Sequence, residues 1–226
     1  KTNSLDAYVV KIDSIGNVIW THSYGGLDID GVSSIAKITD DYGYVLLGYT
    51  KSYMLDKSRI KKRGFFGRIL ANIFKKKPTS EIWIINIDEF GDRNWHNTYG
   101  GKKEDYGKSI KLMADGGYLI TAETNSIGAG RNDIWLLKID KNGKIEWDNT
   151  IGNKKDEYFS SAMVLPNDNI IISGYKRVKD KFSIKNSIMA IINNEPNSRK
   201  KKKSFVNMLD QEGKNKWEVN PSEDEE

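Results

Sequence analysis

Apolar and polar residues alternate in short runs along most of this chain, and the runs recur in a fixed order. Asp6-Ala7-Tyr8-Val9-Val10, Glu81-Ile82-Trp83-Ile84-Ile85 and Asp133-Ile134-Trp135-Leu136-Leu137 are rich in the β-branched and aromatic residues that suit strands. These runs lead into Asp-x-x-Gly with a Trp four residues after the glycine: Asp13-Gly16-Trp20, Asp88-Gly91-Trp95 and Asp140-Gly143-Trp147, with a fourth copy at Asp210-Gly213-Trp217. An Asp side chain bonds the backbone two residues on and Gly supplies a positive φ, so the phrase predicts a hairpin turn.

The match extends past the turn. Tyr24-Gly25-Gly26, Tyr99-Gly100-Gly101 and Ile151-Gly152-Asn153 come next, then an acid (Asp30, Asp105, Glu157) and a weak strand ending near Ile38, Met113 and Leu165. A polar turn follows, then a second apolar strand: Tyr44 to Gly48, Tyr118 to Ala122, Ile170 to Gly174. Each unit therefore holds two hairpins. Asp88 and Asp140 are 52 residues apart, and the other spacings are longer because of insertions. Four short strands in about 50 residues is the arithmetic of a β-propeller blade.

The run Asp6-Ala7-Tyr8-Val9-Val10-Lys11-Ile12-Asp13, with Gly16-Asn17-Val18-Ile19-Trp20, Tyr24-Gly25-Gly26, Asp30 and Gly43-Tyr44-Val45-Leu46-Leu47-Gly48-Tyr49-Thr50, resembles the SBBP-type β-propeller repeat of bacterial and archaeal proteins. The likeness covers roughly residues 6–52 and 81–177. It implies an exported or surface protein and supplies no catalytic residues.

The expected fold is all-β: a hairpin at 6–26 and blades at 27–101, 102–153 and 154–220, interrupted by an insertion at 53–80 and followed by an acidic tail at 221–226. Three blades are too few for a closed propeller, so the array is expected to be incomplete or open. In the last blade either 187–193 or 205–217 supplies the third strand, and the sequence leaves that choice open.

Charge changes the picture of the insertions. Nine Lys or Arg between 57 and 77 and five between 199 and 203 exceed the whole net charge of +5, so the remaining scaffold is acidic. Phe66, Ile69, Leu70, Ile73 and Phe74 fall on one face of a helical repeat, which predicts a short basic amphipathic helix inside the first blade. Its contact residues would be Phe65, Phe66, Ile69, Leu70, Ile73, Phe74, Lys75, Lys76 and Lys77, docking on the scaffold or a partner or lying on an anionic membrane surface. The run Arg199 to Lys203 is expected in a solvated hairpin loop, since no aromatic residue is interleaved with it between 194 and 203.

Candidate chemistry adds little. The repeated tryptophans, together with Trp83 and Trp135, read as packing, because a side chain in the same place in every unit has the same internal task. Asp28-Ile29-Asp30-Gly31 is a fragment of a calcium-loop pattern without its continuation, so the recurring acid is expected to close a turn by accepting backbone N–H bonds. There is no cysteine and no Gly-x-Ser-x-Gly elbow, and His22 and His96 occupy unlike positions in their units. The expectation is a non-catalytic module that binds a protein or ligand, or associates with itself through open blade edges, without catalytic, cofactor or metal residues and without nucleic acid. An enzyme of quinoprotein-like or hydrolytic type, with its site in the channel of a completed ring, is the alternative.

Overall fold

The computed structural model describes residues 4–38, 42–52, 79–178 and 201–219. Fourteen antiparallel strands are formed among them. β1 (Ala7–Ile12) and β2 (Val18–Tyr24) make a two-stranded hairpin. β3 (Asp30–Lys37), β4 (Tyr44–Thr50), β5 (Glu81–Ile87) and β6 (Arg93–Tyr99) make the first four-stranded sheet. β7 (Asp105–Leu112), β8 (Tyr118–Thr124), β9 (Asp133–Ile139) and β10 (Ile145–Ile151) make the second. β11 (Glu157–Val164), β12 (Ile170–Val178), β13 (Lys201–Leu209) and β14 (Asn215–Val219) make the third. Within each sheet the strands pair in sequence order, each antiparallel to the next.

The sheets stack with a constant polarity. Val45, Leu47, Ile82 and Ile84 of the first sheet meet Tyr118, Ile120, Trp135 and Leu137 of the second. Leu119, Ile134 and Leu136, from the opposite face of the second sheet, meet Ile170, Ile172 and Phe205 of the third. Ala7 and Val9 of the hairpin meet Leu46, Trp83 and Ile85, which fill the remaining face of the first sheet. The inner strands are apolar on both faces because both faces are covered, and β5 and β9 therefore carry unbroken hydrophobic stretches, Ile82 to Ile85 and Ile134 to Leu137. The last strand of each four-stranded sheet is the least covered: β6 and β10 hold only exposed and half-buried positions, and β14 is exposed throughout.

The third sheet decides the open choice of strand. β13 and β14 occupy 201–219, and 187–193 lies outside the described residues. It also corrects the placement of the second basic run. Lys201, Lys202 and Lys203 are strand residues opposite Val178, Arg177 and Lys176, not a loop tip. The ladder between β12 and β13 runs two residues further than its counterparts, and main-chain pairing there outweighs the preference of lysine for a solvated turn.

One buried position in this sheet departs from its counterparts. Asn207 stands where the other sheets have Ile85 and Leu137, is 3% exposed, and its Oδ1 has no hydrogen-bond partner. An apolar side chain would remove that desolvation cost. Asn207→Leu should raise stability by about 1–2 kcal/mol in urea unfolding; a loss of stability would show that the amide is held by contacts the buried oxygen does not reveal.

Candidate functional site

The repeated acid ties the sheets together. The Asp30 carboxylate accepts from the Gly26 amide at 2.8 Å, the Ser52 hydroxyl at 2.6 Å and the Thr50 hydroxyl. Asp105 repeats the set with the Gly101 amide at 2.8 Å, the Ser126 hydroxyl at 2.7 Å and the Thr124 hydroxyl. The amides of Asp30, Asp105 and Glu157 each donate to a carbonyl of the preceding unit, at Leu5, Ser80 and Asn132. Both carboxylates are consumed in holding a turn against a strand end, which is structural work. No group of three or more His, Cys, Asp or Glu side chains among the described residues is placed to hold a metal ion.

The third copy is altered. Glu157 replaces the aspartate, and Lys176 and Val178 stand where the hydroxyl donors of the other units stand. Glu157 keeps the turn bond, from the Asn153 amide at 3.2 Å, but its Oε1 is buried without a partner. Burial, with the Asp133 carboxylate nearby, pushes its pKa up to about 7, against the opposing effect of the Asn153 amide. Burial likewise raises Asp133, whose Oδ1 also lacks a partner. A perturbed carboxylate beside a cleft is a candidate acid or base, but here its position in the repeat explains it: the slot is inherited and its donors are gone.

The repeated tryptophans have a more specific task than filling a core. Trp95 and Trp147 lie over the glycine of the next unit's Asp-x-x-Gly turn, with ring atoms 3.0 Å and 2.6 Å from where a Cβ would stand on Gly143 and Gly213. At Gly91 the neighbour is His22, at 2.5 Å, while Trp20 Nε1 donates to the Glu89 carbonyl of the same turn at 2.8 Å. The three glycines are buried and have φ between 76° and 90°, so both backbone and space demand glycine. Their carbonyls accept from the preceding unit as well: Gly91 from the Tyr24 hydroxyl at 2.6 Å, Gly143 from the Tyr99 hydroxyl, Gly213 from Asn149 Nδ2 at 2.7 Å. Trp83 and Trp135 sit in the cores, 5% and 7% exposed, with their indole N–H groups bonded to His96 and Asp148.

The group that does not repeat lies on the outward face of the third sheet. Tyr158 and Tyr175 are paired across β11 and β12, and their rings stack at 5.0 Å with an interplanar angle of 15°. The Arg177 guanidinium lies 5.1 Å from the centre of the Tyr158 ring, and Lys202 Nζ lies 4.4 Å from that of Tyr175. Arg177 and Lys202 are register partners on this face, while the next rung, Lys176 with Lys203, belongs to the opposite face. Like charges directly opposite are unfavourable, and cation–π contact with the two rings offsets part of that cost. Beside the ladder an open cleft of about 330 Å³ is lined by Asn125, Arg131, Asn132, Asp156, Tyr158 and Arg177. Arg131 and Arg177 approach Asp156 only at 3.7 and 4.0 Å, so neither guanidinium is bound in a tight bidentate pair with it.

No aromatic residue lies between the lysines themselves. The rings come instead from β11 and β12, some 45 and 28 positions before Lys203. A signal existed: Tyr175 and Arg177 are two residues apart, on one face of a strand. The expected contact residues Phe65, Phe66, Ile69, Leu70, Ile73, Phe74, Lys75, Lys76 and Lys77, and the helix expected to carry them, lie outside the described residues. No protein-family model matches the chain, and no curated protein matches it.

Proposed function

We propose that this chain is a non-catalytic, propeller-type repeat module of an exported or surface-associated protein, and that it binds an anionic partner on the outward face of its third sheet. Uniform stacking of four-stranded antiparallel sheets supports the propeller-type reading. The repeated polar groups are committed to turns and seams, which leaves the non-repeated residues to supply what is particular to this protein.

The observation that carries the binding reading is the ladder of Arg177, Tyr158, Tyr175 and Lys202. Two cations are held beside ring faces, next to an open polar cleft, on a scaffold whose charge is otherwise acidic. Ordering a cation before the partner arrives lowers the entropy cost of engaging a phosphate, sulfate or carboxylate group. The attraction should be salt-dependent, as expected for half-exposed charges.

Calorimetric titration with a sulfated polysaccharide fragment tests this. The wild type should bind at low ionic strength, an Arg177→Ala, Lys202→Ala double variant should lose at least about tenfold in affinity, and Tyr175→Phe should retain it because the ring is kept. Equal binding by the double variant, or no binding by the wild type, removes the proposal.

A further inference from the structure

The coupling between units has a direction, and it leaves one unused half at each end. Within the chain, an aromatic residue of each unit covers the turn glycine of the next: His22 with Trp20 on the turn of Gly91, Trp95 on Gly143, Trp147 on Gly213. The fourth tryptophan, Trp217, has no such turn before it among the described residues and is 43% exposed. The first turn glycine, Gly16, has nothing within 4 Å of its would-be Cβ and is exposed, whereas its three counterparts are buried.

The sheet faces repeat the same asymmetry. Tyr8, Val10 and Ile12 correspond to Trp83, Ile85 and Ile87, which are 5%, 0% and 0% exposed because the hairpin covers them. In the hairpin itself these positions are 66%, 42% and 59% exposed. At the other end, Ile171 and Val206 lie on the outward face of the third sheet, at the positions where Val45 and Ile84 are fully buried against the following sheet. Each end presents the half of a contact for which the other end presents the complement.

We infer that the chain associates head to tail with a second copy of itself, Trp217 of one copy covering the Asp13–Gly16 turn of the other while Tyr8, Val10 and Ile12 pack on its third sheet. The contact continues the internal order and needs no new type of interaction. It is heterologous, so copies add in one direction and either form a chain or close into a ring. It is also weaker than the internal contacts. Val219 stands where Asn97 and Asn149 donate to the Gly143 and Gly213 carbonyls, and so brings no side-chain donor to the Gly16 carbonyl.

This contact does not depend on the anion-binding reading. Among the internal seams, the residue at the position of Tyr175, Tyr49, is met by Tyr106 from β7, the first strand of the following sheet. Among the described residues the hairpin has no counterpart of that strand. The ladder therefore stays open when the ends meet, and anion binding can fail while association holds, or the reverse.

The directionality provides a test that a symmetric dimer cannot imitate. Sedimentation equilibrium of the full chain should show a mass that rises above the monomer with concentration across the micromolar range. Val10→Asp disables one end and Trp217→Ala the other; both side chains are exposed, and unchanged thermal unfolding will show that each variant is folded. Each variant alone should remain a monomer, and an equimolar mixture should form a one-to-one dimer that grows no further, because only one good end of each kind remains. A wild type that is monomeric throughout, or a mixture that stays monomeric, overturns the inference and leaves these faces to a different partner.

Discussion

Asp105→Ala should destabilise the protein by about 3–4 kcal/mol, enough to consume a large share of the stability of an ordinary domain. The carboxylate is fully buried and accepts from the Gly101 amide and the hydroxyls of Thr124 and Ser126. Its removal strands three donors where the second sheet meets the first. Each buried donor left unpaired costs about 1–3 kcal/mol, partly recovered where a hydroxyl rotates toward water. Asp105→Asn should cost less, because the amide oxygen still accepts one bond. Equilibrium urea unfolding measures both, and a loss below about 1 kcal/mol for the alanine variant would mean that apolar packing alone holds the seam.

The corresponding position in the third unit should behave in the opposite sense. Glu157→Gln should stabilise the protein by about 3 kcal/mol at pH 8 and by about 1 kcal/mol at pH 5. The folded-state pKa near 7 lies above the value of about 4.3 for a free glutamate, so folding holds the proton between those values. Below the unfolded value the group carries no penalty. As the pH rises, the unfolded chain gives up the proton first and stability falls, levelling off above pH 7. Asp133 and Asp156 add repulsion and Lys176 attraction, but burial is the leading cause. Glutamine removes the charge and with it the pH dependence. Unfolding at the two pH values checks the sign, and a gain that does not change with pH would show that the carboxyl stays ionised in its slot.

The contrast between these two acids shows what a repeat hides from a sequence reader. Asp105 and Glu157 align, and each was expected to close a turn, which both do, through Gly101 and Asn153. What separates them is the pair of residues across from each: Thr124 and Ser126 in one case, Lys176 and Val178 in the other. Those partners are 19 or more positions away, and their relevance appears only once the register is known. The same holds for the ladder. Lys202 next to Lys203 reads as a solvated charge run, and only the pairing of β12 with β13 puts it beside Tyr175.

Some expectations concerned short-range features, and these were legible. The Asp-x-x-Gly turns are hairpins whose aspartates accept amides two and four residues on, as Asp13 does from Ile15 and Asn17. The strand stretches beginning at Asp6, Glu81 and Asp133 are β1, β5 and β9. The tryptophans pack as expected, Trp83 and Trp135 in the cores, but Trp95 and Trp147 pack on the next unit's turn. The expectation of a loop at Lys201 to Lys203 failed because charge pattern was weighed without a partner strand.

By itself, the sequence determined the all-β character, the hairpins and the four strands to a unit, since alternation with period two and the φ preference of glycine act over a few neighbouring residues. Only the tertiary structure decided which strands complete the third sheet, which cations meet which rings, and which turn each tryptophan covers. Those facts depend on residues tens of positions apart being brought within about 5 Å by strand pairing and sheet stacking. The exposed turn at Gly16 and the part-exposed ring of Trp217 belong to that second class: as sequence they are two more copies of the phrase, and only the stacking order shows that each lacks its adjoining unit among the described residues.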